Sequence, residues 1–476
     1  MAADYHISAR GAEGLLLRDI WGPREKSMGN PWTPENPSGT QVAMILTPFV
    51  ITYTLSVILR LAENSLMHNE IGGFIEQEVT VLPVNHLTYS TGPRGSHRLR
   101  LAAANFLTDE FKPRKPLGIG NILITPGLAS AIDALAWTFC DEGDAVLIPQ
   151  PLYNGFKVDI LNRSNVQVIG VSYTGVEGYT TLDDLFDPEV NRKAITRALK
   201  RAKSNGVKVK ALLISNPHNP LGRCYPPETL KVFASACGQN DLHFISDEIY
   251  AKSTFQNPAI PDAVPFLSTL SLDFNGILDE TRHHILYGAS KDFCANGLRL
   301  GLVCTRNEGV MGALSSISIF SWSPHLIQDV WAAMLENKSW LAAFTLEKAK
   351  RMVVNHRITT SFLHEHKIRY FDTNAGLFIW VDLRHMITSP EDSQHQLMPG
   401  SLDVESTFEK ACKQREIQIA DICMKHGVLI APGHVYMAEE YGWFRLTFTV
   451  GKDALQEGLN RFLEALKEAE AHASTA

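Results

Sequence analysis

Lys291 and Arg299 have residue types and a spacing that suggest a site for covalent chemistry at a lysine amine. Lys291 follows an apolar run typical of a β-strand, and Arg299 lies eight residues later in the glycine-containing segment 287–301. A lysine that is partly removed from water has a lowered pKa and can attack a carbonyl carbon to form an imine. A single lysine is more often a surface residue, so other segments must support this interpretation.

Three further segments carry polar residues beside apolar runs. Asp247 follows the run HFIS, Tyr250 comes three residues later, and Asn219 lies in the rigid turn SNPHNP. A carboxylate at a strand end lies where open α/β sheets bind ligands, and a buried one needs a cationic or hydrogen-bonding partner. Segment 125–133 is a glycine-containing turn that opens a helix, whose free N–H groups can hold a phosphate. Alone, segment 125–133 is more typical of a simple turn, and the other two segments are equally typical of a loop cap or a helix cap.

Alternating apolar runs and helical patterns must position these residues. They predict an α/β fold with a mainly parallel sheet covered on both faces, over residues 76–330. Residues 331–476 are predicted as a second, smaller α/β domain. A long predicted helix at 327–366 spans the boundary between the two domains. Residues 1–75 are predicted as an arm plus part of the small domain. The strands are predicted at 145–151, 166–173, 210–217, 243–248, 284–290, 301–305, 376–384, 427–433 and 444–450, with helices at 128–140 and 227–240.

Composition excludes several classes of protein. The chain has 476 residues, 20% of them charged, and a net charge of -7. Disorder, collagen and coiled coil are excluded for most of the chain, and no general basic surface for nucleic acid exists. The seven scattered cysteines lack metal-site spacing, and the first residues lack a secretory pattern, so we expect a cytoplasmic protein with reduced thiols.

The order and spacing of these segments together resemble the fold-type I pyridoxal phosphate enzymes, and within them the class I/II aminotransferases. They are most similar to the fungal branch that resembles 1-aminocyclopropane-1-carboxylate synthase. The resemblance implies a three-layer large domain, a smaller α/β domain and pyridoxal 5'-phosphate as cofactor. It rests on LAEN (61–64), LTYSTGPRGSHRLR (87–100), PLYNGF (151–156), SNPHNPLG (215–222), SDEIY (246–250), SKDFCANGLRLG (290–301), NAGLFIWVDLR (374–384) and GWFRLTF (442–448).

The resemblance also implies roles for individual residues around the cofactor ring. Lys291 would bind the cofactor as an imine and then move the substrate α-proton. Asp247 would pair with the pyridine nitrogen and keep it protonated. Asn219 and Tyr250 would hydrogen-bond the ring hydroxyl oxygen, and Tyr153 would stack on the ring face.

The implied phosphate site departs from the common pattern at two positions. Gly288 stands where many relatives have a phosphate-binding serine, a task that we assign to Ser290. Ala129 replaces a common hydroxyl residue, which leaves backbone N–H groups to bind the phosphate. The phosphate contacts implied by the resemblance are Leu128, Ala129, Ser130, Ser290 and Arg299.

Three residues are implied in substrate binding and assembly. Arg445 would bind the substrate α-carboxylate as a bidentate fork, which a lysine does poorly. Tyr89 matches a tyrosine that reaches the site of the neighbouring subunit, which implies a homodimer with shared sites. Glu63 matches a position near the substrate in the cyclopropane-forming branch, although a surface charge is an equal interpretation.

The resemblance does not select one reaction, because the pocket around the cofactor decides it. Transamination of an amino acid in fungal specialised (secondary) metabolism is the favoured reading. The alternatives are a carbon-sulfur lyase acting on cysteine conjugates and 1-aminocyclopropane-1-carboxylate synthesis. A non-catalytic scaffold is disfavoured, since a scaffold needs none of the four residues Lys291, Asp247, Arg299 and Arg445. The side chain of the substrate stays open.

An apolar segment precedes the LAEN motif. Residues 42–59 contain no charged residue and reach the length of a membrane-spanning helix. They also contain Pro48 and several hydroxyl residues, so we do not expect a membrane anchor. Relatives have a short connection here, and about fifteen residues, 41–56, are extra. We interpret them as a genuine insertion or as a retained intron, which the transcript sequence would decide.

Overall fold

The computed structural model describes residues 57–387 and 407–473. Its elements, numbered in chain order, are β1 (Val57–Ile58), α1 (His68–Glu78), α2 (Pro83–His86), α3 (His97–Phe111), β2 (Ile122–Thr125), α4 (Leu128–Phe139), β3 (Ala145–Pro149), α5 (Gly155–Ser164), β4 (Gln167–Val171), α6 (Pro188–Ser204), β5 (Val209–Ser215), α7 (Pro227–Gln239), β6 (His243–Asp247), β7 (His283–Gly288), α8 (Ala289–Asp292), β8 (Gly301–Thr305), α9 (Glu308–Ser318), α10 (His325–Glu336), α11 (Lys338–Glu365), β9 (Arg369–Phe371), β10 (Phe378–Asp382), α12 (Thr407–Lys425), β11 (Val428–Leu429), β12 (Ala431–Pro432), β13 (Trp443–Thr447) and α13 (Lys452–Ala473).

A seven-stranded sheet forms the centre of the large domain. Its strand order is β2-β8-β7-β6-β5-β3-β4, and only β8 runs antiparallel to its neighbours. Every residue of β2, β3 and β8 is buried. Such continuous apolar strands arise where helices cover both faces of a sheet. The predicted α/β fold with a mainly parallel sheet is therefore confirmed.

Helices cover the sheet in two layers. On one face α4, α5 and α9 pack against the alternate residues Leu123, Val303 and Leu286. On the other face α3 and α10 pack against Ile285 and Leu302, while α6 and α7 cover the β5 side of the sheet. Because successive strand residues point to opposite faces, one apolar strand supplies both cores.

The smaller domain contains a four-stranded antiparallel sheet of order β12-β13-β10-β9. A separate parallel pair joins β1 to β11, with Val57 opposite Val428. Helices α11, α12 and α13 contribute to the apolar core of this domain. The chain segment that follows β1 thereby comes to lie at the junction between the domains.

The structure corrects several sequence-based element assignments. Strand β2 was missed, because its four residues merge with the turn that opens α4. The predicted helix 327–366 is two helices, since Asn337 interrupts it and its Oδ1 accepts a hydrogen bond from Trp340 N at 3.0 Å. The predicted strand 427–433 is divided between β11 and β12, which belong to different sheets.

Two helices cross the predicted limits of the large domain at 76 and 330. Helix α1 and helix α10 cross these limits, and both bury apolar side chains in the core under β7 and β8. The apolar segment 41–56 lies outside the described residues. None of the helices within 57–387 and 407–473 is long and apolar enough to cross a membrane.

Candidate active site

The candidate active site lies where five parallel strands end. Asp247 ends β6, Asn219 follows β5, Tyr153 follows β3, and Lys291 lies in α8 directly after β7. Strand β2 runs in the same direction, so the start of α4 reaches this edge too. The topology brings together side chains that are far apart in the sequence, at the edge where open α/β sheets bind ligands.

Lys291 has the environment of a nucleophilic amine. Its Nζ donates a hydrogen bond to the carbonyl oxygen of Ala62 at 2.5 Å. Burial, with a smaller contribution from the nearby Arg445, lowers its pKa to about 8, whereas Glu63 and Asp247 oppose this change. A substantial fraction of the amine is therefore neutral near physiological pH, as attack on a carbonyl requires.

Asp247 is a buried carboxylate that accepts a hydrogen bond from Ile249 N at 3.1 Å. Burial raises its pKa to about 7, and the adjacent Glu248 adds to this rise. A cationic group beside Asp247 would restore the charged carboxylate. The protonated nitrogen of a pyridine ring is such a group, so this residue fits the implied cofactor.

The start of α4 and Arg299 form a cradle suited to a phosphate. A Cβ atom added to Gly127 would lie 2.4 Å from Arg299 Nη2, so only glycine allows the guanidinium this close. Leu128, Ala129 and Ser130 form the first turn of α4, where backbone N–H groups are available. Arg299 Nη1 donates to Asn296 O at 2.8 Å, which fixes the charge beside that turn.

Gly288 departs from the common serine for a steric reason. A Cβ atom at this position would lie 2.7 Å from the carbonyl oxygen of Leu300 and 2.9 Å from Leu128 Cδ1. Strand β7 therefore approaches β8 and α4 too closely for a serine. Ser290, partly buried in α8, lies one residue before Lys291.

Arg445 is held rigidly at 3% exposure. Its Nη1 donates to Asn219 Oδ1 at 3.0 Å, and its Nη2 donates to the carbonyl oxygen of Arg60 at 2.7 Å. The guanidinium carbon lies 4.8 Å from the ring centre of Phe378 and 5.0 Å from that of Tyr436. Its Nε has no hydrogen-bond partner among the described residues. A fixed cation with an unused donor is suited to a carboxylate.

Of the two predicted tyrosines of the pocket, Tyr250 is buried and Tyr153 is partly buried. Burial raises the pKa of Tyr153 and of Tyr250, so each keeps its phenolic proton. The Tyr250 ring packs edge-on against Phe378 with 5.6 Å between ring centres. Phe378 thus separates a predicted cofactor contact from the predicted carboxylate contact Arg445.

Sequence reasoning missed several members of this pocket. Phe378 and Tyr436 hold Arg445, and Arg60 and Ala62 supply carbonyl oxygens. Burial lowers the pKa of Arg60, and Arg445 lowers it further, whereas Tyr436 opposes this. The position of Arg60 directly before LAEN was the one available signal. Phe378 resembled any other apolar strand residue.

The predicted residues Glu63 and Tyr89 lie in different surroundings, one in the pocket and one on the surface. Glu63 lies in the pocket, where its Oε1 accepts a hydrogen bond from Asn296 Nδ2 at 2.8 Å. Tyr89 is 82% exposed and packs edge-on with Trp322 at 6.0 Å. Within a single chain Tyr89 lies on the surface, so its implied role depends on a second subunit.

The aminotransferase class I and II family matches residues 59–462 of this chain. The chain belongs to this family. Class I and II aminotransferases are pyridoxal phosphate enzymes, so the chain is a pyridoxal phosphate-dependent transferase. The cradle at Gly127, the buried Asp247 and the amine of Lys291 would hold that cofactor.

Relatives of this chain carry different names. It is 30% identical over 416 residues to a mouse protein named "Probable inactive 1-aminocyclopropane-1-carboxylate synthase-like protein 2", covering 87% of this chain and 66% of the relative. It is 29% identical over 407 residues to the Aspergillus oryzae "Probable aminotransferase aclI", covering 85% of this chain and 89% of the relative. The kynurenine aminotransferase of Pyrococcus horikoshii shares the fold, with a TM-score of 0.65 and 19% identity over 87% of this chain and 91% of that chain.

Proposed function

We propose that this chain is an aminotransferase that exchanges the amino group of an amino acid with a 2-oxo acid. One observation carries the proposal: Lys291, with a pKa lowered to about 8, shares one pocket with a rigid Arg445. The first can move a proton, and the second can bind a carboxylate. An α-amino acid presents both groups on one carbon atom.

The residues of the pocket divide the work. Pyridoxal phosphate, when bound, supplies an electron sink that makes the α-proton of the substrate acidic. Arg445 binds the α-carboxylate and so orients the bond that breaks. Lys291 accepts the α-proton at Nζ and returns it, as a base with a pKa near 8 can do. Asp247 would hold a proton on the ring nitrogen of the bound cofactor, and Asn219, which accepts a hydrogen bond from Arg445, would contact the ring hydroxyl.

The reaction is tested by its products. Purified protein with added pyridoxal phosphate is incubated with a panel of amino acids and cysteine S-conjugates, and the products are identified by mass spectrometry. A 2-oxo acid that retains the substrate side chain, formed with pyridoxamine phosphate, supports transamination. Pyruvate, ammonia and a free thiol would contradict it and establish a carbon-sulfur lyase.

Two controls make this experiment specific. Lys291→Ala should lose both the visible absorption of bound cofactor and the product, whereas Lys338→Met, on the exposed side of α11, should keep both. A third substrate, S-adenosylmethionine, separates the last alternative, because cyclopropane formation from it would also contradict transamination. Glu63 lies in the pocket whichever of the three reactions occurs, so its presence does not distinguish among them.

We further propose that two copies assemble with shared sites. Large apolar side chains are exposed on the segment around α2 and beside α10, and such a patch is unusual on a monomer. The exposed residues are Val79, Val81, Leu82, Val84, Leu87, Tyr89, Ile319 and Phe320. A second copy covers this surface and places Tyr89 at its site. Analytical ultracentrifugation should give a dimer, and a monomer with full activity would contradict the proposal.

We also propose that the enzyme is cytoplasmic and acts in fungal specialised metabolism. All seven cysteines lie buried as free thiols, which suits the reducing cytoplasm. The resemblance of its motifs to the fungal branch of the family supports a role in fungal specialised metabolism. A fluorescent fusion found in a secretory compartment would contradict the first proposal. A metabolite profile unchanged after deletion of the gene would contradict the second.

A further inference from the structure

Lys348 is a completely buried lysine outside the pocket described above. Its side chain and that of Asp292 are each 1% exposed, and Lys348 Nζ lies 3.7 Å from Asp292 Oδ1. The same Nζ donates to the carbonyl oxygen of Asp292 at 2.6 Å and to Ser253 Oγ at 3.5 Å. Burial of two charges costs several kcal/mol per ion unless further contacts offset it, so the pair needs an explanation.

Asp292 connects this lysine to the active site. It is the last residue of α8 and follows Lys291 directly. Its carboxylate accepts hydrogen bonds from Ser253 Oγ at 2.7 Å, from Lys252 N at 2.8 Å and from Tyr287 Oη at 2.9 Å. The network therefore joins the end of β7 to the segment after Tyr250.

Lys348 also occupies a special position on α11. Phe344, Lys348 and Met352 are spaced four residues apart and share one face of the helix. Phe344 packs in the core of the large domain, and Met352 packs in the core of the small domain. Helix α11 thus passes from one domain to the other at Lys348.

We propose that the Lys348–Asp292 ion pair positions the amine of Lys291 relative to the helix that joins the two domains. Lys291 is then held from two sides. Asp292 fixes its backbone in α8, and the carbonyl oxygen of Ala62, in the segment after β1, holds its Nζ. The proposal rests on Lys291 binding the cofactor and holds whichever reaction follows.

The charged groups near the pair have ion-pair partners of their own. On the α1 and α3 sides, Glu70 is paired with Arg351, and Glu110 with Lys252. The groups that influence Lys291 directly are Glu63, Asp247, Arg299 and Arg445. A titration of the bound cofactor therefore reports what happens to Lys291 itself.

The test is a set of four proteins loaded with pyridoxal phosphate: wild type, Lys348→Met, Lys348→Met/Asp292→Asn, and Lys338→Met as control. Lys338 lies on the same helix but pairs with Asp109 on the surface, at 78% exposure. The measurements are kcat, KM and the pH midpoint of the visible absorption of the bound cofactor.

We expect Lys348→Met to lower kcat about tenfold, because small displacements of a reacting group are costly, while KM changes less than about twofold. The absorption midpoint should rise, since a lost cation and a less constrained amine both favour protonation. The double variant keeps the net charge of the pair. If the absorption midpoint and kcat of this variant still differ from wild type, the cause is therefore a displaced Lys291 amine and not a change in net charge. Lys338→Met should match wild type.

The proposal is overturned if the folded variants keep the wild-type midpoint and kcat and merely unfold at a lower temperature. If Lys348→Met yields no folded protein, the double variant decides, because removal of both charges costs less than removal of one. Wild type without a visible band would overturn the cofactor role of Lys291 as well. Unchanged midpoints in the variants alone would overturn only the positioning.

Discussion

Strands β6 and β7 bury polar groups at both ends, but these groups have hydrogen-bond partners at the amino ends and include, at the carboxyl ends, a nearby donor unpartnered within the part of the chain that the structure describes. At the amino ends, His243 Nδ1 lies 2.9 Å from His284 Nε2, and His284 Nδ1 lies 2.9 Å from Thr305 Oγ1. These groups are neutral and satisfy one another. At the carboxyl ends, Asp247 and Lys291 lie near Arg445, whose Nε has no hydrogen-bond partner among the described residues.

Burial acts at both ends, but its consequence depends on the available partners. It lowers the pKa of His243 to about 4 and that of His283 to about 3, so both stay neutral. It also brings the pKa values of Asp247 and Lys291 to about 7 and about 8. The amino end is a finished structural core. The carboxyl end keeps ionisable groups with shifted pKa values that a bound ligand could pair with, which is typical of a functional site.

The largest effect should come from Asp247→Asn. This change keeps the volume and removes the charge that we propose holds a proton on the ring nitrogen of the cofactor, so we expect kcat to fall about 10³-fold. The matched control is Glu248→Gln, since this neighbouring buried carboxylate already accepts hydrogen bonds from Ser246, Ser268 and Thr269. Steady-state kinetics should show less than about a tenfold change for the control. Equal losses would contradict a special role for Asp247.

Arg445→Lys should have the next largest effect. A lysine cannot replace the bidentate fork, so we expect kcat/KM for amino acids to fall about 10²-fold. Arg384→Lys is the control, because Arg384 also lies over an aromatic ring, that of Trp443, but pairs with Asp382 and Glu440. A similar loss in the control would show that the effect of Arg445 is structural.

Gly288→Ala should lower the free energy of unfolding by about 1–3 kcal/mol, because the added Cβ would clash with the backbone at Leu300. Gly312→Ala in α9 is the control, since nothing lies within 4 Å of its Cβ position. That change should stabilise the protein by about 0.5–1 kcal/mol. Urea unfolding measures both, and a neutral Gly288→Ala would reject our explanation for the missing serine.

The smallest effect concerns pH and the histidines of the amino end. The pKa of His284 is lowered by burial, so its contribution to stability is complete above about 6.5 and is lost as the pH falls below that value. His284→Gln should be less stable than wild type at pH 7.5, and the difference should narrow at pH 5. Urea midpoints at both pH values measure this. A constant difference would contradict a neutral buried His284.

At the carboxyl end, a lower pH favours the folded state, which is opposite to its effect through His284. The pKa values of Asp247 and Glu248 are raised to about 7, so they favour the folded state most below about 4, and this contribution fades as the pH rises toward 7. The two ends therefore oppose each other between pH 4 and 7. The comparison of His284→Gln with wild type removes the shared carboxylate contribution.

Much of the fold was readable because the central strands are continuous apolar runs. The same runs placed Asp247 and Lys291 at strand ends, and the order of the segments placed Asn219, Arg299 and Arg445 beside them. Strand β2 was missed because four residues are too few to distinguish from the turn after them. The break at Asn337 was missed because both flanking helices continue an apolar helical pattern.

The remaining site residues are defined by contacts between distant segments. Phe378 and Tyr436 hold Arg445 through ring faces, which leaves no mark in either local sequence. Lys348 lies in a lysine-containing stretch of α11 and reads as an exposed helix residue. Its burial becomes visible only when Asp292, from a different domain, is placed beside it.

The segment that runs from β1 into the LAEN motif has one consequence for protein engineering. It holds Lys291 and Arg445 through the carbonyl oxygens of Ala62 and Arg60, and every amino acid has such an oxygen. Side chains at position 60 can therefore be exchanged without removal of these two contacts. A saturation library at this position would vary the wall of the pocket while the reactive groups keep their anchors, which makes it a natural starting point for directed evolution of substrate range.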